Sequence, residues 1–117
     1  FPRVVNKLYG GKCAICNIAV KSTRGESIID AAHILPFSVF HNDDPRNGIA
    51  LCKNHHWGFD VGLYSFSDDY QIIISTQVEL PEGYLSPRTT LFLPASSQYY
   101  PAHDALQWHR ENTFVGI

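Results

Sequence analysis

Two half-sites of matching spacing, Cys13-x2-Cys16 and Cys52-x2-His55, constrain this chain more than any other feature. Zinc takes thiolate and imidazole together in a tetrahedron, and a two-residue spacer lets one turn present two ligands to one ion. The two pairs supply a closed Cys3His set, which requires residues 13–16 and 52–55 to meet across the chain between them. Closed coordination leaves no open position, so the expected zinc is structural. Taken alone, the first pair reads equally well as ordinary buried thiols and Cys52 as core packing; two half-sites together favour the metal. All three cysteines are consumed. Their odd number suits a reducing compartment better than a disulfide framework.

A chain of 117 residues fits one compact domain. Its 44% hydrophobic and 13% aromatic content is enough for a small core and too much for intrinsic disorder. No apolar run approaches the roughly 18 residues needed to cross a bilayer, and nothing resembles a signal peptide, so no membrane partner is expected. The first residue is Phe1 rather than Met, and the expectation is the C-terminal part of a longer protein with a further domain upstream. Charge is lopsided. Residues 1–58 hold seven basic and four acidic side chains, net +3, whereas the remainder holds two and seven, net −5. A polyanion would meet the first half, although a mixed, solvated surface gives the same difference.

Apolar residues at Val4, Val5, Leu8 and Tyr9 predict a short helix over Arg3 to Tyr9, ended by Gly10-Gly11. Asn17 to Lys21 and Glu26 to Ile34 read as strands of a hairpin across Ser22 to Gly25. Pro36 to Gly48 reads as a surface loop, Ile49 to Leu51 as a brief buried strand, and Lys53 to Val61 as a short helix with Trp57 and Phe59 in the core. A second hairpin is expected from Gly62 to Ser67 and Tyr70 to Thr76 with Ile72 to Ile74 buried, then a strand over Thr89 to Leu93 and a closing helix over His103 to Phe114. This is an α+β pattern, with a core at about 10–67 and an extension over 68–117.

A second constellation is Asp30-Ala31-Ala32-His33, then Asn47-Gly48, then His56 with Asp60 four residues on and so on the same helix face. Each member has a plain explanation: His33 as a core histidine, Asn47 as a turn residue, His56 as a helix surface residue. Their joint order changes the weighing. AAHILPFS, NDDPRNGIALC and HHWGFDVG, with zinc half-sites before the first and last, resemble the HNH endonuclease family over residues 2 to about 67. WHRENTF, Trp108 to Phe114, is similar to the tail of HNH domains in restriction endonucleases that cut modified DNA.

That resemblance implies a ββα-metal (His-Me) finger with an extra β-hairpin and a C-terminal helix. It implies His33 as general base, Asn47 as the residue that holds the His33 loop in register, and His56 as ligand to a divalent cation, magnesium or manganese, at the scissile phosphate of double-stranded DNA. Many such domains carry a second cation ligand directly before the base, and here that position is Ala32. Asp60 and Asp30 are the candidates to complete the site. Lys12, Lys21, Arg24, Arg46 and Lys53 are candidate phosphate contacts, foremost Lys12, Arg46 and Lys53, although isolated basic residues are usually solvated surface. The implied setting is the cytoplasm of a bacterium, in a restriction-type enzyme whose upstream domain chooses the target, acting as a monomer or a homodimer. The competing reading is a zinc-stabilised nucleic-acid-binding module without catalysis.

Overall fold

The computed structural model describes residues 1–85 and 90–116. Helix α1 (Pro2–Leu8) starts on Pro2, whose fixed φ and missing N–H suit a first helical turn. Strand β1 (Ile29–His33) pairs antiparallel with β2 (Gly48–Cys52), in a register that sets Ile29 opposite Cys52 and His33 opposite Gly48. Helix α3 (Lys53–Asp60) follows β2 with no intervening loop. Both α1 and α3 pack on the β1–β2 pair, which is why every residue of β2 is buried. The connection between the two strands carries a single helical turn, α2 (Phe37–Phe40), and a 3-10 turn (Pro45–Asn47) capped by the Asp44 carboxylate. The finger is therefore β1, this connection, β2 and α3.

The expected hairpin between 17–21 and 26–34 is not the pair that forms. Those segments touch through one bridge, Lys21 with Ser27, and two flanking backbone bonds, Ser22 N–H to Glu26 O and Ile28 N–H to Val20 O. Ile18 and Val20 stay exposed, and Asn17 takes a positive φ of 62° that breaks an extended run. The partner of β1 is instead the brief buried strand expected at Ile49 to Leu51, which runs from Gly48 to Cys52 as β2.

Strands β3 (Tyr64–Phe66) and β4 (Ile72–Ile74) form the second hairpin. Its outer strand is not buried as expected: Ile72 and Ile73 are half-buried and Ile74 is exposed. The strand expected over 89–93 begins at Thr89, outside the described residues; within them Thr90 bridges Gln71. Helix α4 (His103–Asn112) buries Ala105, Leu106 and His109. Leu85, Leu91, Ala105 and Leu106 join Val5, Ile15, Ile34, Ile49, Leu51, Phe59 and Phe66 in one core. Trp57, expected in that core, is 60% exposed, because a helix that buries His55, Gly58 and Phe59 turns position 57 outward. No helix among the described residues is long and apolar enough to cross a membrane.

Candidate active site

The turn at residues 13–16 and the β2–α3 junction bring Cys13, Cys16, Cys52 and His55 together, with all four ligand atoms within 4.8 Å of one another. His55 Nδ1 lies 3.6 Å from Cys13 Sγ and 3.2 Å from Cys52 Sγ, and the sulfurs of Cys16 and Cys52 are 4.0 Å apart. A tetrahedral zinc with Zn–S of about 2.3 Å and Zn–N of about 2.0 Å places neighbouring donors roughly 3.5–3.8 Å apart. The donor set therefore fits zinc in chemistry and in size. His55 Nε2–H donates to the carbonyl of Tyr84, which fixes the tautomer that frees Nδ1 for the metal. Burial pushes the Cys13 thiol up, but the His55 ring and the amides of Cys16, Cys52 and Ile15 outweigh it and hold the group at about 6. Burial and the neighbouring Cys13 charge push Cys16 up to about 12. Three thiolates this close need a dication among them.

On the other side of the same helix turn lies a cleft of about 310 Å³, lined by Ala31, His33, Phe37, His56, Asp60 and His109 among others. Strand β1 delivers His33 and helix α3 delivers His56 and Asp60. His56 is held at both ring nitrogens: Nδ1 is 2.9 Å from Asp30 Oδ2, and Nε2 is 3.2 Å from Asp60 Oδ2. Its pKa rises to about 9; the Asp60 hydrogen bond drives the rise, burial opposes it, and Asp30 adds to it. Asp30 also accepts from Lys53 Nζ at 2.8 Å. Burial raises the Asp30 carboxyl, and Lys53 and His56 together bring it below its ordinary value.

Asn47 stands behind the cleft, 2% exposed. Its Oδ1 accepts the Leu35 N–H at 2.8 Å, and its Nδ2 donates to the carbonyls of Leu35 (3.2 Å) and Asn42 (3.0 Å). One side chain thus clamps both ends of the α2-bearing connection, just past His33. Ala32 is fully buried and offers no ligand.

The geometry separates the two carboxylates offered for the cation. Asp60 shares the Nε2 side of His56, and donors about 3 Å apart match neighbouring positions of an octahedral cation bound at 2.0–2.1 Å. Asp30 lies on the opposite nitrogen, where it orients the ring. The pair His56 and Asp60 therefore fits a magnesium-type ion that keeps water or phosphate in its other positions. Among the described residues, the zinc set is the only cluster of three or more metal-ligating groups.

Of the basic residues singled out, Lys53 is tied to Asp30, Arg46 Nε donates to the carbonyl of Tyr100 at 3.1 Å, and Lys12 is exposed. Sequence reasoning missed two neighbours of His33. Phe1 stacks on its ring, 4.0 Å between centroids and 5° between planes, and Asp43 Oδ1 lies 2.9 Å from Nε2. Both contacts are tertiary, and no spacing rule announces them.

A ββα finger carrying a Cys3His metal-ligating set, with His33 and His56 facing one cleft, defines the class. Residues 13–67 match the family model described as HNH endonuclease, and over this segment the chain is similar to that family. A solved structure, the modification-dependent restriction endonuclease TagI, superposes with a TM-score of 0.69 at 23% identity, over 94% of this chain and 36% of that one. At that identity the likeness is one of fold, and it reaches beyond the finger to α4. The chain spans about a third of that protein's length. No match was found among curated proteins.

Proposed function

We propose that this chain is a metal-dependent DNA endonuclease that hydrolyses phosphodiester bonds, the cleavage module of a restriction-type enzyme. The observation that carries the reading is the cleft shared by His33, His56 and Asp60 on a finger whose β2–α3 junction is pinned by the zinc set. In this mechanism a neutral His33 takes a proton from water as its oxygen attacks phosphorus, the role imidazole most often fills as a general base. The P–O3′ bond then breaks, leaving a 5′ phosphate and a 3′ hydroxyl that takes its proton from solvent. His56 and Asp60 would hold the divalent cation, and Asp30 orients His56 through Nδ1. When bound, the cation supplies charge stabilisation for the phosphate and the leaving oxygen. Asn47 keeps the connection after His33 in register.

Phosphate contacts position a protein on DNA but carry no sequence information directly. Target choice, including any dependence on modified bases, is therefore assigned to a separate domain. The test is cleavage of supercoiled plasmid with magnesium, manganese or EDTA. Cutting that needs a divalent cation supports the reading. Binding without cutting under every cation favours the zinc-stabilised binding module instead.

A further inference from the structure

Either ring nitrogen of His33 could take the proton, and a residue outside the triad decides between them. Three contacts from three separate segments fix the ring. Phe1 stacks on one face at 4.0 Å, Phe37 of α2 tilts against it at 5.2 Å, and Asp43 Oδ1 sits 2.9 Å from Nε2. His33 Nδ1 has no partner among the described residues, while the side chain lines the cleft that His56 and Asp60 share. An ionised carboxylate can only accept a hydrogen bond, so a neutral imidazole facing it must carry its proton on Nε2 and its lone pair on Nδ1.

We propose that Asp43 is a positioning residue for the general base: it holds the proton on His33 Nε2 and so leaves Nδ1 to receive the proton of the attacking water. The proposal rests on the reading of His33 as that base. The balance is simple. An O–H bond of water breaks, its proton forms the Nδ1–H bond, and the hydroxide electron pair goes to phosphorus. The resulting imidazolium is charged, and Asp43 faces that charge through Nε2–H without taking the proton itself. The pairing is about half exposed on the Asp43 side, so its contribution is smaller than that of a buried carboxylate–imidazole pair.

The contact belongs to tertiary structure. Asp43 lies ten residues after His33, past α2, and the Asn47 clamp on Leu35 and Asn42 sets the path of that connection. Asp44, its neighbour, is already used to cap the 3-10 turn, which leaves Asp43 as the acid of the loop that reaches the ring.

The test uses the zinc-loaded chain with Asp43→Ala and Asp43→Glu. Ring-nitrogen chemical shifts of 15N-labelled His33 should report the Nε2–H tautomer in the parent and a mixture in Asp43→Ala. Plasmid cleavage should lose kcat by on the order of tenfold or more in Asp43→Ala, with KM, zinc content and melting temperature unchanged, and Asp43→Glu should restore much of it. Three results overturn the proposal: an Nδ1–H tautomer in the parent, a kcat within twofold of the parent in Asp43→Ala, or a fall in KM at constant kcat. The last would mean that Asp43 merely repels phosphate. Failure of the underlying reading looks different, because His33→Ala would then cut DNA as well as the parent, or the parent would cut with no cation at all.

Discussion

The imidazole of His109 lies flat on the phenyl ring of Phe59, 3.7 Å between centroids and 4° from parallel, and its two nitrogens are both spoken for. Nε2–H donates to the Phe59 carbonyl at 2.8 Å, and Nδ1 accepts from the Ser65 hydroxyl at 2.7 Å. One neutral histidine of α4 thereby joins the end of α3 to β3, directly under the cleft.

This arrangement fixes a pH dependence of stability. Burial lowers the His109 pKa from its ordinary value to about 4, against a smaller opposing pull from the Phe59 carbonyl. Between about 4 and 6.5 the unfolded chain binds the proton that the folded one refuses, so the contribution is complete above about 6.5 and is lost as pH falls toward 4. Its size is at most about 3 kcal/mol. Urea unfolding from pH 7.5 to 4.5 should show a steeper loss in the parent than in His109→Gln. The zinc set also protonates in acid, so the difference between the two proteins is the informative quantity; parallel curves would refute the assignment.

Zinc removal should unfold the finger rather than merely silence it. Elemental analysis should find one zinc per chain, and Cys13→Ser or chelation should lower the melting temperature by more than about 10 °C, because metal affinity is folding energy in a domain this small. Zinc-free protein that melts where the parent does would remove the structural role.

His33→Ala and His56→Ala should fail in different ways. The first removes proton transfer, so cleavage should fall by at least about a hundredfold with fold, zinc and DNA affinity retained. The second weakens the cation site, and excess manganese should restore part of its activity while leaving His33→Ala inert. Equal response of both variants to manganese would contradict the division of roles.

Gly48 has a measurable purpose as well. A Cβ there would come within 2.5 Å of Val5 Cγ2 and 2.8 Å of Phe1 Cζ, so Gly48→Ala must push the start of α1 off the strand pair. Overpacking of this kind costs about 1–3 kcal/mol. It should also loosen the Phe1–His33 stack, seen as a shift of the His33 ring proton resonances once the Phe1 ring current is lost. Full stability in Gly48→Ala would show that α1 is not seated as described.

What the sequence disclosed was what short spacing encodes. Cys13, Cys16, Cys52 and His55 announce their meeting because ligand chemistry tolerates few arrangements, and His56 with Asp60 is set by one helical turn. Strand pairing was misread because Asn17–Lys21 has the same apolar look as a strand, and nothing local reveals that Ile18 and Val20 stay exposed while Ile49 takes the partner position. Trp57 misled for a related reason: a large aromatic next to a buried helix face reads as core until the rotation of the helix is known. The contacts of Phe1 and Asp43 with His33 arise from the packing of α1 and the course of the β1–β2 connection, which no pattern along the chain records.

His55 and His56 are adjacent in sequence, yet one turns into the zinc set and the other into the cleft, as side chains about 100° apart on a helix must. The Cys3His set thus serves as a datum from which the placement of the cleft-facing His56 imidazole is measured, with a tolerance of less than one residue. A one-residue insertion or deletion between Cys52 and His56 would forfeit one of the two sites. The connection between His33 and Asn47, by contrast, is held at Leu35 and Asn42 by the Asn47 side chain and returns to His33 through Phe37 and Asp43, so its length is set by tertiary contacts rather than by spacing along the chain.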